Sequence, residues 1–527
     1  MKKQDRDGLF WRTVLFAERR HHVMFSRVFS GGINGIDAHM VCVEADISGG
    51  LPQFHMVGLP SSEVKEARER VFRALSNTGI DIPPRKITVN LSPAWIRKQG
   101  SGFDMPIAVA ILSALGIIRP DSLKNKVFAG ELSLDGHINK VNGILPIALT
   151  ARQEGFGTLV VPKENVFEGA VIEDLRISGV SDLKELIHAL NEDALPASEY
   201  ISLEQELKKA YEQEKMDYQD IKGQESAKRA TQVAVAGFHN LLYIGPPGSG
   251  KSMLARCIPT ILSRMDREEC LEISKIYSVM GLLENQSLML KRPFRTPHHS
   301  VTASALIGGM GNPRPGEITL AHKGVLFLDE AAEFKKDVIE MLRQPMEDKQ
   351  AVISRLSGNI VFPADFMLVM AMNPCRCGFY PDRQMCRCTQ SEVDRYFGKI
   401  RGPVLDRIDI CTATFRLDTS DFSGEGTGSQ KMREQIRKAQ KIQAERFRGT
   451  DIRFNSQMRQ KEIEKYCVLE DRDKELLDKA YHRYRLTARG YYKVLKVART
   501  IADLEGCDSI SKKHLTEAIS YRNTYDK

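Results

Sequence analysis

Three short apolar runs mark the middle of the chain: Leu241-Leu242-Tyr243-Ile244, Gly324-Val325-Leu326-Phe327-Leu328 and Phe366-Met367-Leu368-Val369-Met370-Ala371-Met372. Each is brief and unbroken by polar residues, the pattern of a fully buried strand. Nearer the start, Val41 to Ile47 and Ile87 to Leu91 alternate apolar and polar residues, as half-buried strands do. Ser62 to Val71 opens with a capping residue and continues with helix formers. The last hundred residues change period. Met432 to Arg448 and Arg472 to Tyr484 are long helix-forming stretches. In Tyr491 to Leu504, Val494, Val497, Ile501 and Leu504 make a core stripe, with Lys493, Lys496 and Arg499 on or near another face. Residues 191–217 are charged and read as a linker helix, and the Gly/Ser-rich residues 418–430 read as a flexible connector. The pattern predicts an α/β multidomain protein: an α+β domain over 24–190, an α/β core over 218–417 and a helical domain over 431–527.

Composition narrows the class. A chain of 527 residues holds two to four domains. No run approaches the roughly 18 apolar residues of a membrane span. Asp5, Arg6, Asp7, Arg12 and Glu18 interrupt any signal-peptide core. Ten cysteines, mostly scattered singly, suit a reducing compartment, so a cytoplasmic protein without a membrane partner is expected. The net charge of +8 is uneven: from residue 431 onward 24 Lys+Arg face 15 Asp+Glu, which is +9 and leaves −1 for the rest. That surplus points to an anionic partner such as nucleic acid; the alternative is a solvated helical surface.

The chemistry lies at the ends of the buried strands. Gly245-Pro246-Pro247-Gly248-Ser249-Gly250-Lys251-Ser252 fits GxxxxGK[ST], between a strand and a helix. Its backbone N–H groups can ring a phosphate chain, Lys251 can reach the outer phosphates, and the Ser252 hydroxyl can ligate Mg²⁺. The second run ends in Asp329-Glu330, which supplies a Mg²⁺ ligand and an acid to polarise the attacking water. The third ends at Asn373, either a group beside the phosphates or an Asn-Pro turn. Arg407, in Val404-Leu405-Asp406-Arg407-Ile408-Asp409, either pairs with a neighbouring acid or reaches a second subunit's nucleotide.

These landmarks resemble the AAA+ ATPases, in the magnesium-chelatase-like branch typified by the ComM/YifB proteins. Further matching stretches are Asp220-Ile221-Lys222-Gly223-Gln224, Arg292 to His299, Pro313 to Glu317 and Leu342 to Glu347. The resemblance runs from Met24 on; residues 1–23 fall outside it and form an unmatched extension. It implies that Asn373 is sensor 1, Arg407 the arginine finger and Arg489 sensor 2, and that the C-terminal helices form the AAA+ lid. Within 24–190, Gly130 to Gly136 and Gly155 to Asn165 resemble the Lon protease domain, which has an S5-like α+β fold. The Lon motif places its serine at Gly102, with Ser101 displaced by one, and its lysine at Ile147, with Lys140 seven residues early. Both members of the dyad are missing, so a non-proteolytic domain is expected.

Two features remain. Cys375, Cys377, Cys386 and Cys388 place four thiols within fourteen residues, either a tetrahedral Zn²⁺ site or free thiols. The basic, glycine-containing segment Lys291 to Glu317 can line a ring's channel or be an ordinary hairpin. As a channel it would contact DNA phosphates through Arg292, Arg295 and Arg314, with Lys493, Lys496 and Arg499 adding outer contacts. Adjacent His298 and His299 on one strand would point to opposite faces. The resemblance implies a homo-hexameric ATPase, using ATP and Mg²⁺, that moves on single-stranded or branched DNA as a branch-migration helicase in natural transformation. The alternative is a metal-insertase or chaperone-type motor.

Overall fold

The computed structural model describes residues 24–210, 216–283, 288–309, 313–354, 359–400, 404–416 and 426–522. The expected extension 1–23 and most of the expected connector 418–430 lie outside the described residues. The chain divides into two compact units: residues up to Leu203 with Ser274–Leu288, and Glu204–Ile273 with Met289–Lys527. The return of Ser274–Leu288 to the first unit departs from the single stretch expected over 218–417. Its contacts are with residues far away in sequence, Ser278 O accepting from Gly143 N and Ser278 Oγ donating to Glu168, and no local pattern announces them.

The first unit is built on a seven-stranded mixed sheet in the order Gln53–Val57, Lys86–Ser92, Asp37–Ser48, Phe25–Asn34, Lys126–Phe128, Thr158–Pro162, Arg176–Val180. Asp37–Ser48 pairs antiparallel with both Lys86–Ser92 and Phe25–Asn34, setting Val43 opposite Leu91 and Val28. Val41, Val43, Ala45 and Ile47 are all buried, as the alternation requires. Helix Asp104–Ala114 is buried at every position, which is why its sequence is apolar all round. Its Asp104 is anchored by Arg70 Nε at 2.6 Å, and burial still raises the carboxyl's pKa above its ordinary value. At the positions where a Lon-type dyad would stand, Ile147 is buried and Gly102 has no side chain. Ser101 Oγ donates to Glu131 instead, and the buried Lys98 donates to the carbonyls of Gly58 and Pro93.

The second unit carries a five-stranded parallel sheet in the order Phe294–Arg295, Val325–Leu328, Met367–Met372, Leu241–Ile244, Ile410–Ala413. The three central strands are buried throughout, as their unbroken apolar runs require. All strands run the same way, so the residues following Ile244, Leu328 and Met372 gather at one carboxyl edge. The C-terminal helices Ser429–Arg446, Gln460–Tyr466, Asp471–Arg483, Ala488–Glu505 and Lys512–Ser520 belong to this unit. Val494, Val497 and Ile501 share one core with Leu241, Val325 and Val369.

Helix Ala488–Glu505 corrects one expectation. It packs against Ser429–Arg446, Lys512–Ser520 and Glu225–Gly237, so it is enclosed on several sides. Three of its four basic residues turn inward, Arg489 in the first turn being the exception. Lys493 Nζ lies 2.8 Å from Asp409, Lys496 Nζ donates to Ser456 O at 2.9 Å, and Arg499 is 2 % exposed and paired with Asp503. These three are structural charges, not an outer phosphate-binding face. A stripe of apolar residues shows that one side of a helix is covered; it cannot show that the other is open.

Candidate functional site

Strand Leu241–Ile244 feeds directly into the glycine loop, and helix Lys251–Arg256 starts where the loop ends. Gly248 and Gly250 hold φ of 76° and 85°, left-handed values that favour glycine, and a Cβ at either would meet open space. At Gly245 the requirement is steric: a Cβ there would lie 2.0 Å from Thr414 Oγ1. Ser249 Oγ, 2.7 Å from Thr414 Oγ1 and donating to Pro246 O, ties the loop to the chain after strand Ile410–Ala413.

Lys251 crosses the loop. Its Nζ donates to Gly245 O and Pro246 O, each at 2.8 Å, and to Asn373 Oδ1 at 3.1 Å. Burial lowers its pKa to about 8, against the raising fields of Asp329 and Glu330. Ser252 Oγ donates to Asp329 Oδ2 at 2.7 Å. The loop lysine, the strand-end asparagine, the hydroxyl and the acid, read from separate parts of the sequence, therefore form one cluster. Ser252 and Asp329 offer hard oxygens a hydrogen bond apart, which fits Mg²⁺ held through one carboxylate and one hydroxyl. The bound ion would neutralise phosphate charge.

Glu330 is exposed, at φ 50°, with its N–H bonded to Asp329 Oδ1. Its carboxylate lies 4.0 Å from His299 Nδ1. His298 and His299 do not point to opposite faces: their ring centroids are 4.0 Å apart, because the strand stops at Arg295 and the pair lies beyond it.

Of the three expected channel arginines, Arg292 is a correction. It is 7 % exposed, with both Nη atoms on Glu269 at 3.0 and 2.7 Å and further bonds to the carbonyls of Ser263 and Lys323. A guanidinium so enclosed braces the fold. Arg295 is partly exposed and forked onto Glu317 at 2.8 and 2.9 Å. Arg314 is exposed.

Arg407 and Arg489, far apart in sequence, converge. Arg407 Nη2 lies 2.5 Å from Glu347 Oε1, and Arg489 Nη2 lies 2.7 Å from that same oxygen. Of the two local pairings open to Arg407, neither Asp406 nor Asp409 is the partner found; Asp406 lies 3.7 Å from Arg489 and Asp409 is taken by Lys493. Glu347 was legible only as part of a matching stretch, with no sign of its role.

The four clustered cysteines also come together, their Sγ atoms all within 4.8 Å. Three of the separations are 3.3, 3.8 and 3.6 Å. A tetrahedron of bonds about 2.3 Å long has edges of about 3.8 Å, so the donor set fits Zn²⁺. Tyr380 N donates to Cys375 Sγ at 3.4 Å, and the backbone N–H of Phe379 leads in lowering the Cys377 pKa to about 6. The cluster adjoins the nucleotide loop: a Cβ on Gly378 would lie 2.5 Å from Pro247 Cδ. A second group, Glu505, Cys507 and His514, is less suited to a metal. Lys513 Nζ holds Glu505, and His514 already accepts from Ser511 N.

Comparison with known proteins gives the family. Family profiles described as magnesium chelatase subunit ChlI match residues 217–422 and 43–165, and one for the ChlI C-terminal part matches 426–522. The competence protein ComM of Haemophilus influenzae is 40 % identical over 499 residues, covering 94 % of this chain and 97 % of that protein. The chain belongs to the ComM/YifB family. YifB of Escherichia coli K12 is 38 % identical over 500 residues, covering 93 % and 95 % of the two chains. The magnesium-chelatase 38 kDa subunit of Cereibacter sphaeroides is 24 % identical over 333 residues, covering 57 % of this chain and 90 % of that subunit. The ComM/YifB family is thus magnesium-chelatase-like and of the AAA+ ATPase class, which implies nucleotide and Mg²⁺ use and suggests oligomer formation. Among the described residues no helix is long and apolar enough to cross a membrane.

Proposed function

We propose that this chain is a cytoplasmic, ring-forming, homo-hexameric motor that hydrolyses ATP to move on branched or single-stranded DNA, as a ComM-like branch-migration helicase in natural transformation. The observation that carries ATP hydrolysis is the convergence of Lys251, Asn373, Ser252 and Asp329 at one sheet edge. In this reading Lys251 and the loop amides bind the phosphates, Glu330 orients the attacking water, Asn373 acts as sensor 1 and Arg489 as sensor 2. The C-terminal helices serve as the AAA+ lid. The first unit is a Lon-like domain without proteolysis, supported by Ser101 bonding to Glu131 and by the apolar Ile147 at the lysine position.

DNA as substrate is supported by the similarity to a competence protein and by the exposed Arg314. With Arg292 and Arg499 committed to the fold, Arg314 and Arg295 remain as the channel contacts. Arg314→Ala is expected to reduce DNA-stimulated ATPase and to flatten the salt dependence of DNA affinity by about 0.7 to 0.9 log units per tenfold change in salt. Arg292→Ala is expected instead to destabilise the fold, read by thermal melting, but by less than the roughly 3–5 kcal/mol of a fully orphaned buried charge, because Arg453 still pairs with Glu269. ATPase unaffected by single-stranded, duplex and forked DNA would favour the second reading, a chelatase-type metal-insertase motor, for which the match to chelatase subunits speaks.

The cysteine cluster is proposed to hold one structural Zn²⁺ per chain. Elemental analysis of protein made without added metal is expected to find close to one zinc per chain, and Cys375→Ser to lose it. A folded, metal-free preparation would refute the site.

A further inference from the structure

Glu347 stands at the meeting point of the two arginines that the motor reading assigns to phosphate. It sits near the end of helix Arg343–Asp348, Arg407 lies in the turn Leu405–Arg407, and Arg489 lies in the first turn of Ala488–Glu505. One oxygen, Oε1, receives both guanidinium groups, at 2.5 and 2.7 Å. Asp406 is held from the other side, accepting from Thr487 Oγ1 at 3.1 Å. Three arginines act here, because the charges of Arg489 and Arg343 both bear on Arg407. Among the described residues, Glu347 and Asp406 are the acids that meet them.

The exposures differ. The Arg407 side chain is 5 % exposed, whereas Glu347 is 41 % exposed and Arg489 47 %. A buried guanidinium requires an anionic partner, and among the described residues Glu347 is one. One carboxylate oxygen between two guanidinium groups is a poor match for their ten donors, since each fork is shaped for two acceptor oxygens. A terminal phosphate has three acceptor oxygens and more charge, so it satisfies both forks better. A half-exposed glutamate can rotate into water when such an anion arrives.

We propose that Glu347 is a positioning residue that gates Arg407 and Arg489, holding both within its own chain until the terminal phosphate of a nucleotide displaces it. The inference rests on the motor reading, in which that phosphate belongs to ATP in a neighbouring copy's glycine loop. Glu347 touches no reacting atom; it sets how readily the arginines are released.

The test uses the full chain and two probes, the non-hydrolysable analogue AMP-PNP and ADP, with assembly followed by light scattering. Glu347→Gln keeps the shape and removes the charge. It is expected to lower the AMP-PNP concentration for half-maximal assembly by roughly two- to fivefold, the scale of a half-exposed ion pair. The ADP curve should stay in place, because ADP lacks the competing phosphate. Glu347→Asp keeps the charge needed for folding but withdraws it by one methylene, so a smaller shift in the same direction is expected even if Glu347→Gln folds poorly. An unchanged or higher AMP-PNP midpoint in the folded variants, or an equal shift with ADP, would overturn the gate. Arg407→Ala and Arg489→Ala separate this from failure of the motor reading. If both assemble and hydrolyse ATP like the parent protein, the arginine roles fall and the gate with them; if they are impaired while Glu347→Gln shows no shift, only the gate falls.

Discussion

Glu330→Gln is expected to lower ATP turnover by about 10²–10⁴-fold, the range lost when a positioned acid–base group is removed. Nucleotide binding should survive, because the binding contacts lie elsewhere. In the proposed reading Lys251 and the glycine loop meet the phosphates, and Ser252 and Asp329, 2.7 Å apart, form the Mg²⁺ pair. Glu330 makes neither contact: it follows Asp329, is exposed, and reaches 4.0 Å from His299. The amide keeps its size but cannot draw a proton from water. The expected product is therefore a nucleotide-loaded, stalled protein, seen as near-parental affinity for a fluorescent ATP analogue with little phosphate release. Lys251→Ala provides the contrast. It removes the ammonium that spans Gly245, Pro246 and Asn373, so binding itself should weaken. Parental turnover in Glu330→Gln would mean that another group activates the water.

Arg407→Ala is expected to cost about 10³–10⁵-fold in turnover if Arg407 acts as an arginine finger. Within its own chain Arg407 is turned to Glu347, so its action is proposed to fall on a neighbour's nucleotide. Mixing gives a clean measurement. Arg407→Ala and Lys251→Ala proteins should each be inactive alone, yet a mixture should regain part of the ATPase activity. Some interfaces would then join an intact glycine loop to an intact finger. Confirmed mixed rings without recovery at any ratio would exclude action between subunits. Lost folding is controlled by thermal melting, since Arg407 is nearly buried and its removal leaves Glu347, among the described residues, with Arg489.

Much of the geometry of the candidate site was legible because its signals are local. The glycines of 245–250 answer to backbone angles and close approach within a few residues, and Asp329 and Asn373 each follow an unbroken apolar run. Parallel pairing of those runs brings their ends together without further information. The basic residues were less legible. Arg292, Lys493 and Lys496 read as surface charge, but each has a partner distant in the chain: Glu269, Asp409 and the Ser456 carbonyl; Arg499 pairs with Asp503 one helical turn on, and only its burial was hidden. Charge type is visible in a sequence, whereas the layer packed over it is not.

What the sequence by itself determined is the family, carried by motifs along most of the chain, and the buried strands and the glycine loop, each set by spacing within one short segment. The tertiary structure alone decided which charges are spent on the fold. It also decided that Ser274–Leu288 joins the first unit and that Arg407 and Arg489 share a single oxygen of Glu347. The physical reason is that burial and ion pairing are set by contacts between remote segments, and no periodicity along the chain encodes which remote segment will be the neighbour.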